Sequence, residues 1–339
     1  MSPATRTTLC LALVVTACGN GVGPTTTSGD DESTAASTGS ADPTTTAATT
    51  GEPGTTGEPG TTGGSSSTGA PPQAPLGPWR VMSFNIMCQS CGVPGFEDWD
   101  ERIPHIGDTI RRHAPALLGT QELFTGEEVA LIEAEIPDYT SIWFKKPDPE
   151  SLDYADAAIF YRSDMFAEQE HGFYWLSPSP DVPYSTGFAT PQFARLVVWA
   201  RLRALDGDAE FIFATTHFDN NSPSQELSAP LVLERTAALA DQWPVIMVGD
   251  FNSQPVDEAY EILVGAFTDT FELAGEWRSE TNLEPGPAWD PTQRIDHMFV
   301  AGAGSLWQAS DWTVDQWGYG PNMHETSDHF AISVQVEVP

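Results

Sequence analysis

Val245-Ile246-Met247-Val248-Gly249-Asp250-Phe251-Asn252 is a short apolar run that ends abruptly in a carboxylate and an amide. Its length and its branched residues read as a strand over 245–251. Such an ending sets Asp250 and Asn252 where loops gather above a rigid sheet. The same arrangement recurs outward along the chain. Asn85 closes a strand at 80–85, Glu122 follows one at 116–119, and His217 falls near the end of one at 210–218. Asp296 lies inside a strand at 295–300, and Asp328-His329 directly precede one at 330–338. Two more strands read at 157–161 and 196–202. Trp99, Ile103, Ile106 and Ile110 recur at steps of four, three and four, which gives one apolar helical face. Further helices read at 126–135, 231–241 and 256–263. Strand hairpins mixed with helices predict an α/β fold, a four-layer sandwich of two packed mixed β-sheets flanked by helices.

Composition divides the 339 residues. All eleven tryptophans lie between Trp79 and Trp317, and the first 78 residues hold no aromatic residue. A segment of Thr, Gly, Ser and Pro cannot bury enough apolar surface to offset chain entropy. Residues 79–339 are therefore read as one folded domain, and 18–78 as a tether without structure, including the near-repeat Gly51-Glu52-Pro53-Gly54-Thr55-Thr56. Residues 1–17, with Arg6 and a short apolar run from Leu9, read as a secretory signal. Val15-Thr16-Ala17-Cys18 resembles a bacterial lipobox, which implies lipidation at Cys18, a membrane anchor and an extracytoplasmic place in the cell envelope or beyond it. Cys88 and Cys91, spaced Cys-Gln-Ser-Cys with no second pair to complete a four-thiolate zinc site, read as a local disulfide or two free thiols.

The formal charge is −34, with only 14 lysines and arginines. Such a surface repels polyanions, and sequence-independent nucleic-acid binding rests on basic side chains. A tight, processive nuclease is disfavoured.

Taken singly, a carboxylate after a strand is ordinarily a solvated turn or a helix cap, and an isolated histidine a hydrogen-bonded loop residue. The ordered set is more specific. Met82-Ser83-Phe84-Asn85, Thr120-Gln121-Glu122, Thr216-His217, Gly249-Asp250-Phe251-Asn252, Arg294-Ile295-Asp296 and Ser327-Asp328-His329 resemble the successive motifs of the endonuclease/exonuclease/phosphatase superfamily. The resemblance runs from about Val81 to Val338. Two features depart from it: no arginine follows His217 within the next several residues, and position 156 is Asp where relatives often carry Gly or Glu.

The resemblance implies hydrolysis of a phosphoester with Mg²⁺ or Mn²⁺, hard cations that prefer oxygen ligands. By it, Glu122 is the principal metal ligand, with Asn85 and Asp328 beside it. His329 is the general base, oriented by Asp296, and Asp250 positions the attacking water. Asn252 and His217 donate to phosphoryl oxygens. On a strand, Asp328 and His329 would face apart. Arg195 reads either as a phosphate contact or as the partner of a carboxylate. A phosphodiesterase, possibly a nuclease, acting as a monomer is the leading expectation. A phosphomonoesterase or lipid phosphodiesterase is the alternative within the same chemistry, and a catalytically silent surface-binding module the alternative outside it.

Overall fold

A computed structural model describes residues 76–145, 154–188, 193–207, 209–302 and 306–338. The expected signal, the expected lipidation site Cys18 and the expected tether as far as residue 75 lie outside the described residues. In chain order the elements are β1 (Leu76–Asn85), α1 (Trp99–His113), β2 (Leu117–Gln121), α2 (Gly126–Glu135), β3 (Tyr139–Phe144), β4 (Tyr154–Arg162) and β5 (Phe166–Trp175). There follow β6 (Leu196–Ala204), β7 (Glu210–His217), α3 (Ser224–Ala240), β8 (Val245–Asp250), α4 (Glu258–Val264), β9 (Thr268–Asp269) and α5 (Thr270–Ala274). The chain then closes with β10 (Trp277–Glu280), a short 3-10 turn (Pro291–Gln293), β11 (Asp296–Ala301), β12 (Gln308–Asp315) and β13 (Ile332–Val338).

Two mixed sheets result, ordered β10-β12-β13-β1-β2-β4-β3 and β5-β6-β7-β8-β11-β9. Strand alternation explains the layers. Val81, Leu117, Ile246 and Val248 belong to the core between the sheets. Their neighbours Met82, Phe84 and Leu118 pack on Ile106 and Ile110 of α1 and Ile132 of α2. Met247 packs on Val232 of α3 and Leu263 of α4. Both faces of the central strands are thus buried, which accounts for their near-continuous apolar runs. Ile106 and Ile110 are fully buried, so truncating either to Ala costs about 2–5 kcal/mol. Gly119 permits the close approach of the two sheets: a Cβ there would stand 2.4 Å from Val248 Cγ2 and 2.5 Å from Thr215 Oγ1.

The four-layer sandwich of the sequence reading is the observed fold, with corrections in detail. Residue Leu76, read as part of the tether, already pairs with Val338 in β1. The helix expected from 231 begins at Ser224 and runs through Pro230, because an interior proline removes one donor without abolishing a helix held by its neighbours. Strands β3, β5, β9, β10 and β12 and helix α5 were not anticipated. β5 shows why: Glu168, Gln169, Glu170 and His171 are all exposed on a sheet edge, so no apolar alternation marks them. Asp328 and His329 precede β13 in a loop rather than on a strand, so strand alternation does not govern where they face.

Candidate active site

Topology brings the polar strand ends together. β1 runs parallel to β2, and β7 parallel to β8, so each pair ends at the same edge. β11 is antiparallel to β8 and starts there, with Asp296 opposite Asp250. His217 also stands opposite Asp250, across the parallel pair. The two sheets meet at Asn85, whose Nδ2 donates to Asp250 Oδ2 at 3.0 Å and to Glu122 Oε1 at 3.3 Å. β13 is antiparallel to β1, which returns the loop carrying Asp328 and His329 to the same end. Ser327 fastens that loop by donating from Oγ to the Asn85 carbonyl at 2.7 Å.

Asp250 is the hub. Its Oδ1 accepts the Asn252 N–H at 2.9 Å, while Oδ2 lies 3.4 Å from His217 Nε2 and 3.7 Å from His329 Nε2. Burial alone would raise its pKa, but the His329 and His217 imidazoles and the Asn252 and Asn85 donors hold it below the usual carboxylate range. His329 is raised well above the ordinary imidazole value: burial opposes its charged form, yet Asp296 and Asp250 outweigh that cost. Its Nδ1 sits 2.8 Å from Asp296 Oδ2. That carboxylate claims the Nδ1 proton and leaves Nε2 of the neutral ring free to receive another.

His217 is fully interior. Its Nδ1 lies 2.9 Å from Asp156 Oδ1 and 2.7 Å from Arg195 Nη1, and Arg195 donates to Asp156 Oδ2 at 2.7 Å. Asp156 would be raised by burial, but Arg195 and then His217 bring its pKa down to about 2. Of the two partners read for Arg195, a carboxylate is the one in contact. Asn252 spends one amide proton on the Phe218 carbonyl at 3.0 Å, which leaves its second for a ligand.

Glu122 is half-buried at the site mouth, and its Oε2 accepts the Cys88 N–H at 3.0 Å. Glu122, Asn252 and Met87 all have left-handed backbone, with φ of 68°, 47° and 55°. Non-glycine residues held there cost on the order of 1–3 kcal/mol each, so the fold maintains some backbone strain around this centre. Asp328 is exposed at the rim, yet neighbouring atoms strip part of the water from its carboxylate and raise its pKa; His329 opposes that shift and the charge of Glu122 adds to it. Glu122 and Asp328 offer the carboxylate oxygens that a hard divalent cation takes, whereas the Asn85 amide turns its nitrogen to Glu122 and its oxygen to the Met87 N–H at 3.2 Å, so the expected ligand role of Asn85 becomes one of bracing Glu122. Asp250, Asp296 and His329 also bring ligand atoms within 4.8 Å of one another.

Three contributors were not read as site residues. Asp156 was noted only as a departure, yet it orients His217. Ser327 was read as motif rather than as a fastener. Arg102 is buried on α1 and donates to the carbonyls of Glu97, Ile86, Thr326 and Met87, which draws the β1–α1 loop and the His329 loop together. Its signal was available: three residues after Trp99, it falls on the apolar stripe, where an unpaired charge has no place.

Residues 82–329 match the Endonuclease/Exonuclease/phosphatase family. An endonuclease/exonuclease/phosphatase family protein from Bacteroides thetaiotaomicron is similar in structure, with TM-score 0.66 and 28% identity over 77% of this chain and 98% of its own. A mannosyl-6-phosphatase from the same organism gives 0.65 and 29% over 76% and 99%. Nocturnin of Drosophila melanogaster is 26% identical over 209 residues, 55% of this chain and 30% of that protein. The chain spans less than two thirds of the length of the curated relatives it matches.

Proposed function

Because the chain belongs to the Endonuclease/Exonuclease/phosphatase family, whose members hydrolyse phosphoesters, we propose that it is a divalent-metal-dependent hydrolase of small phosphoesters. The observation that carries the reading is the convergence of Glu122, Asn85, Asp250, Asn252, His217 and the Asp296–His329 pair at one edge of both sheets. Glu122 and Asp328 would hold the cation, Mg²⁺ or Mn²⁺, which would supply charge neutralisation at the phosphoryl group, with Asn85 bracing Glu122 through its amide nitrogen. His329 Nε2 takes a proton from the attacking water, with Asp296 fixing the ring and stabilising the imidazolium. Asp250 orients that water. Asn252 and His217 donate to phosphoryl oxygens as charge develops, His217 being held in place by Asp156 and Arg195.

Charge favours a small substrate. Every described arginine already has a partner, most of them carboxylates. Among the described residues no uncommitted arginine is left to neutralise a polynucleotide backbone. The likeness to a mannosyl-6-phosphatase over almost the whole of that protein supports a phosphomonoester of a sugar as the first substrate to try. A phosphodiester is the second reading, since nothing in the donor set requires a terminal phosphate.

The leader supports a place outside the cytoplasm, with Cys18 as lipid anchor, and a disulfide in the folded part agrees with an oxidising compartment. The deciding experiment is a panel of hexose 6-phosphate, bis(p-nitrophenyl) phosphate, sphingomyelin, RNA and plasmid DNA, each with Mg²⁺, with Mn²⁺ and with chelator. The expected result is metal-dependent release of inorganic phosphate from the monoester, at a kcat/KM at least about tenfold above the diesters. Nicking of DNA with no phosphate released from any monoester would overturn the small-substrate reading.

A further inference from the structure

The loop after β1 is built around Glu122. Cys88 and Cys91 form a disulfide, and the turn between them is closed by the Cys91 N–H on the Cys88 carbonyl at 3.2 Å. The Cys88 N–H points outward from this turn to Glu122 Oε2 at 3.0 Å, and Cys91 Sγ lies 3.3 Å from the same oxygen. Neighbouring donors hold the loop from other sides. Gln89 N–H reaches Glu128 Oε1 at 3.2 Å, Met87 N–H reaches Asn85 Oδ1 at 3.2 Å, and Arg102 holds the Met87 carbonyl at 2.8 Å. The disulfide spans only three residues in sequence, so it closes a very short loop and constrains the unfolded chain little. Its effect is local, on the donor aimed at Glu122.

We propose that the Cys88–Cys91 disulfide is a redox-sensitive positioning element for Glu122, which sets the affinity of the site for its divalent cation. The proposal rests on the reading of Glu122 as a metal ligand. In the oxidised loop neither sulfur carries a hydrogen, so Cys91 offers Glu122 Oε2 no donor and leaves that oxygen's outward lone pair to a cation. Reduction has two consequences at this oxygen. The turn that aims the Cys88 N–H is released, and the Cys91 thiol gains a hydrogen within reach of Oε2, which then competes with the cation for the same lone pair. Cys88 and Cys91 touch neither the phosphoryl group nor the attacking water in this scheme. They act through Glu122 alone, so the effect falls on metal affinity and not on the chemical step at saturating metal.

The test uses the full chain in three forms: oxidised, reduced with tris(2-carboxyethyl)phosphine and desalted without air, and the Cys88→Ala/Cys91→Ala variant. In the reduction the phosphine attacks one sulfur and the S–S bond breaks. Water delivers its oxygen to phosphorus, giving the phosphine oxide, and its two hydrogens to the sulfurs, giving two thiols. Mn²⁺ binding is read directly by electron paramagnetic resonance of the free ion, and turnover is read against Mn²⁺ concentration. Loss of one hydrogen bond to a carboxylate predicts a rise of about tenfold in half-saturating Mn²⁺ on reduction. Turnover at saturating Mn²⁺ is expected to stay within about twofold of the oxidised form. The double variant is expected to bind Mn²⁺ more weakly than the oxidised protein and to ignore the phosphine, and reoxidation is expected to restore the native protein's affinity. If turnover needs Mn²⁺ but its half-saturation is the same oxidised and reduced, the disulfide proposal falls and the metal reading stands. If turnover is indifferent to chelator in every form, Glu122 is no metal ligand and both fall together.

Discussion

Replacing Arg195 by Met separates two roles for a buried cation beside the site. Arg195 is 5% exposed and its partner Asp156 is not exposed at all, so neither charge can be rescued by water. Removing one member of a buried pair strands the other, at a cost of about 3–5 kcal/mol. For a domain of this size each kcal/mol moves the unfolding midpoint by about 2–4 °C, so a fall of roughly 10 °C is expected. The acid dependence changes with it. Asp156 ionises at about 2 in the folded protein against 3.8 ordinarily. A depressed carboxylate contributes stability that is present above pH 3.8 and is lost as pH falls through about 2. The shift corresponds to about 2 kcal/mol. In Arg195→Met the main charge that overcomes burial is gone, the pKa of Asp156 rises, and that contribution is lost at a correspondingly higher pH. Urea unfolding followed by tryptophan fluorescence at several pH values gives both numbers. A second variant, Asp156→Asn with Arg195→Met, removes both charges and should recover more than about 1 kcal/mol of the single variant's loss. If Arg195→Met instead keeps its stability within about 0.5 kcal/mol while KM for the phosphoester rises tenfold or more, Arg195 grips substrate and the structural argument is wrong.

Other outcomes follow from the same geometry. Glu122→Gln is expected to lower turnover by about a hundredfold, with partial recovery at high Mn²⁺ because the amide still offers an oxygen; wild-type turnover in chelator would refute the role. Asp296→Asn removes the largest charge holding the His329 pKa up, so the acidic limb of the pH–rate profile should move to lower pH while the plateau falls by about a hundredfold; an unmoved limb would show that His329 is not the titrating base. His297 is buried with Nε2 donating to the Ser253 carbonyl at 2.8 Å, and burial brings its pKa from 6.5 down to about 4. The unfolded chain therefore binds the extra proton between those values, and this residue withdraws about 3 kcal/mol of stability as pH falls from 6.5 to 4; His297→Phe should flatten that part of the stability curve, and parallel curves would refute the assignment. Cys18→Ala should abolish partition into a detergent phase if the leader is a lipoprotein signal, and equal partition of the two forms would sink that reading.

How much was legible in the sequence depends on which faces each segment buries. The central strands bury both faces, so Val245-Ile246-Met247-Val248 announces itself, and the polar residues closing such runs stand out against them. The edge strands bury little: β5 exposes four consecutive residues, and β10 has Trp277 and Arg278 exposed. Neither makes a periodic signal. The same contrast divides the site. Asn85, Glu122, His217, Asp250, Asn252 and Asp296 stand out in the sequence because each ends, follows or starts a strand of the core, and His329 because it shortly precedes one. Asp156 was passed over as a role because it lies within β4, flanked by Ala155 and Ala157 in a run that reads as core, and only the sheet-to-sheet contact with His217 and Arg195 gives it work. Arg102 holds main-chain carbonyls and the Cys88–Cys91 loop holds Glu122 with a main-chain N–H, and main-chain groups carry no residue-specific pattern that would name those partners. The residues proposed to meet a substrate or cation are therefore the more legible part of this site, and the contacts that hold them in place become visible mainly once the two sheets are packed. Single-residue changes among the second group should therefore alter stability, metal affinity or pH dependence before they alter the reaction catalysed, whereas changes in the first group should strike the chemistry directly.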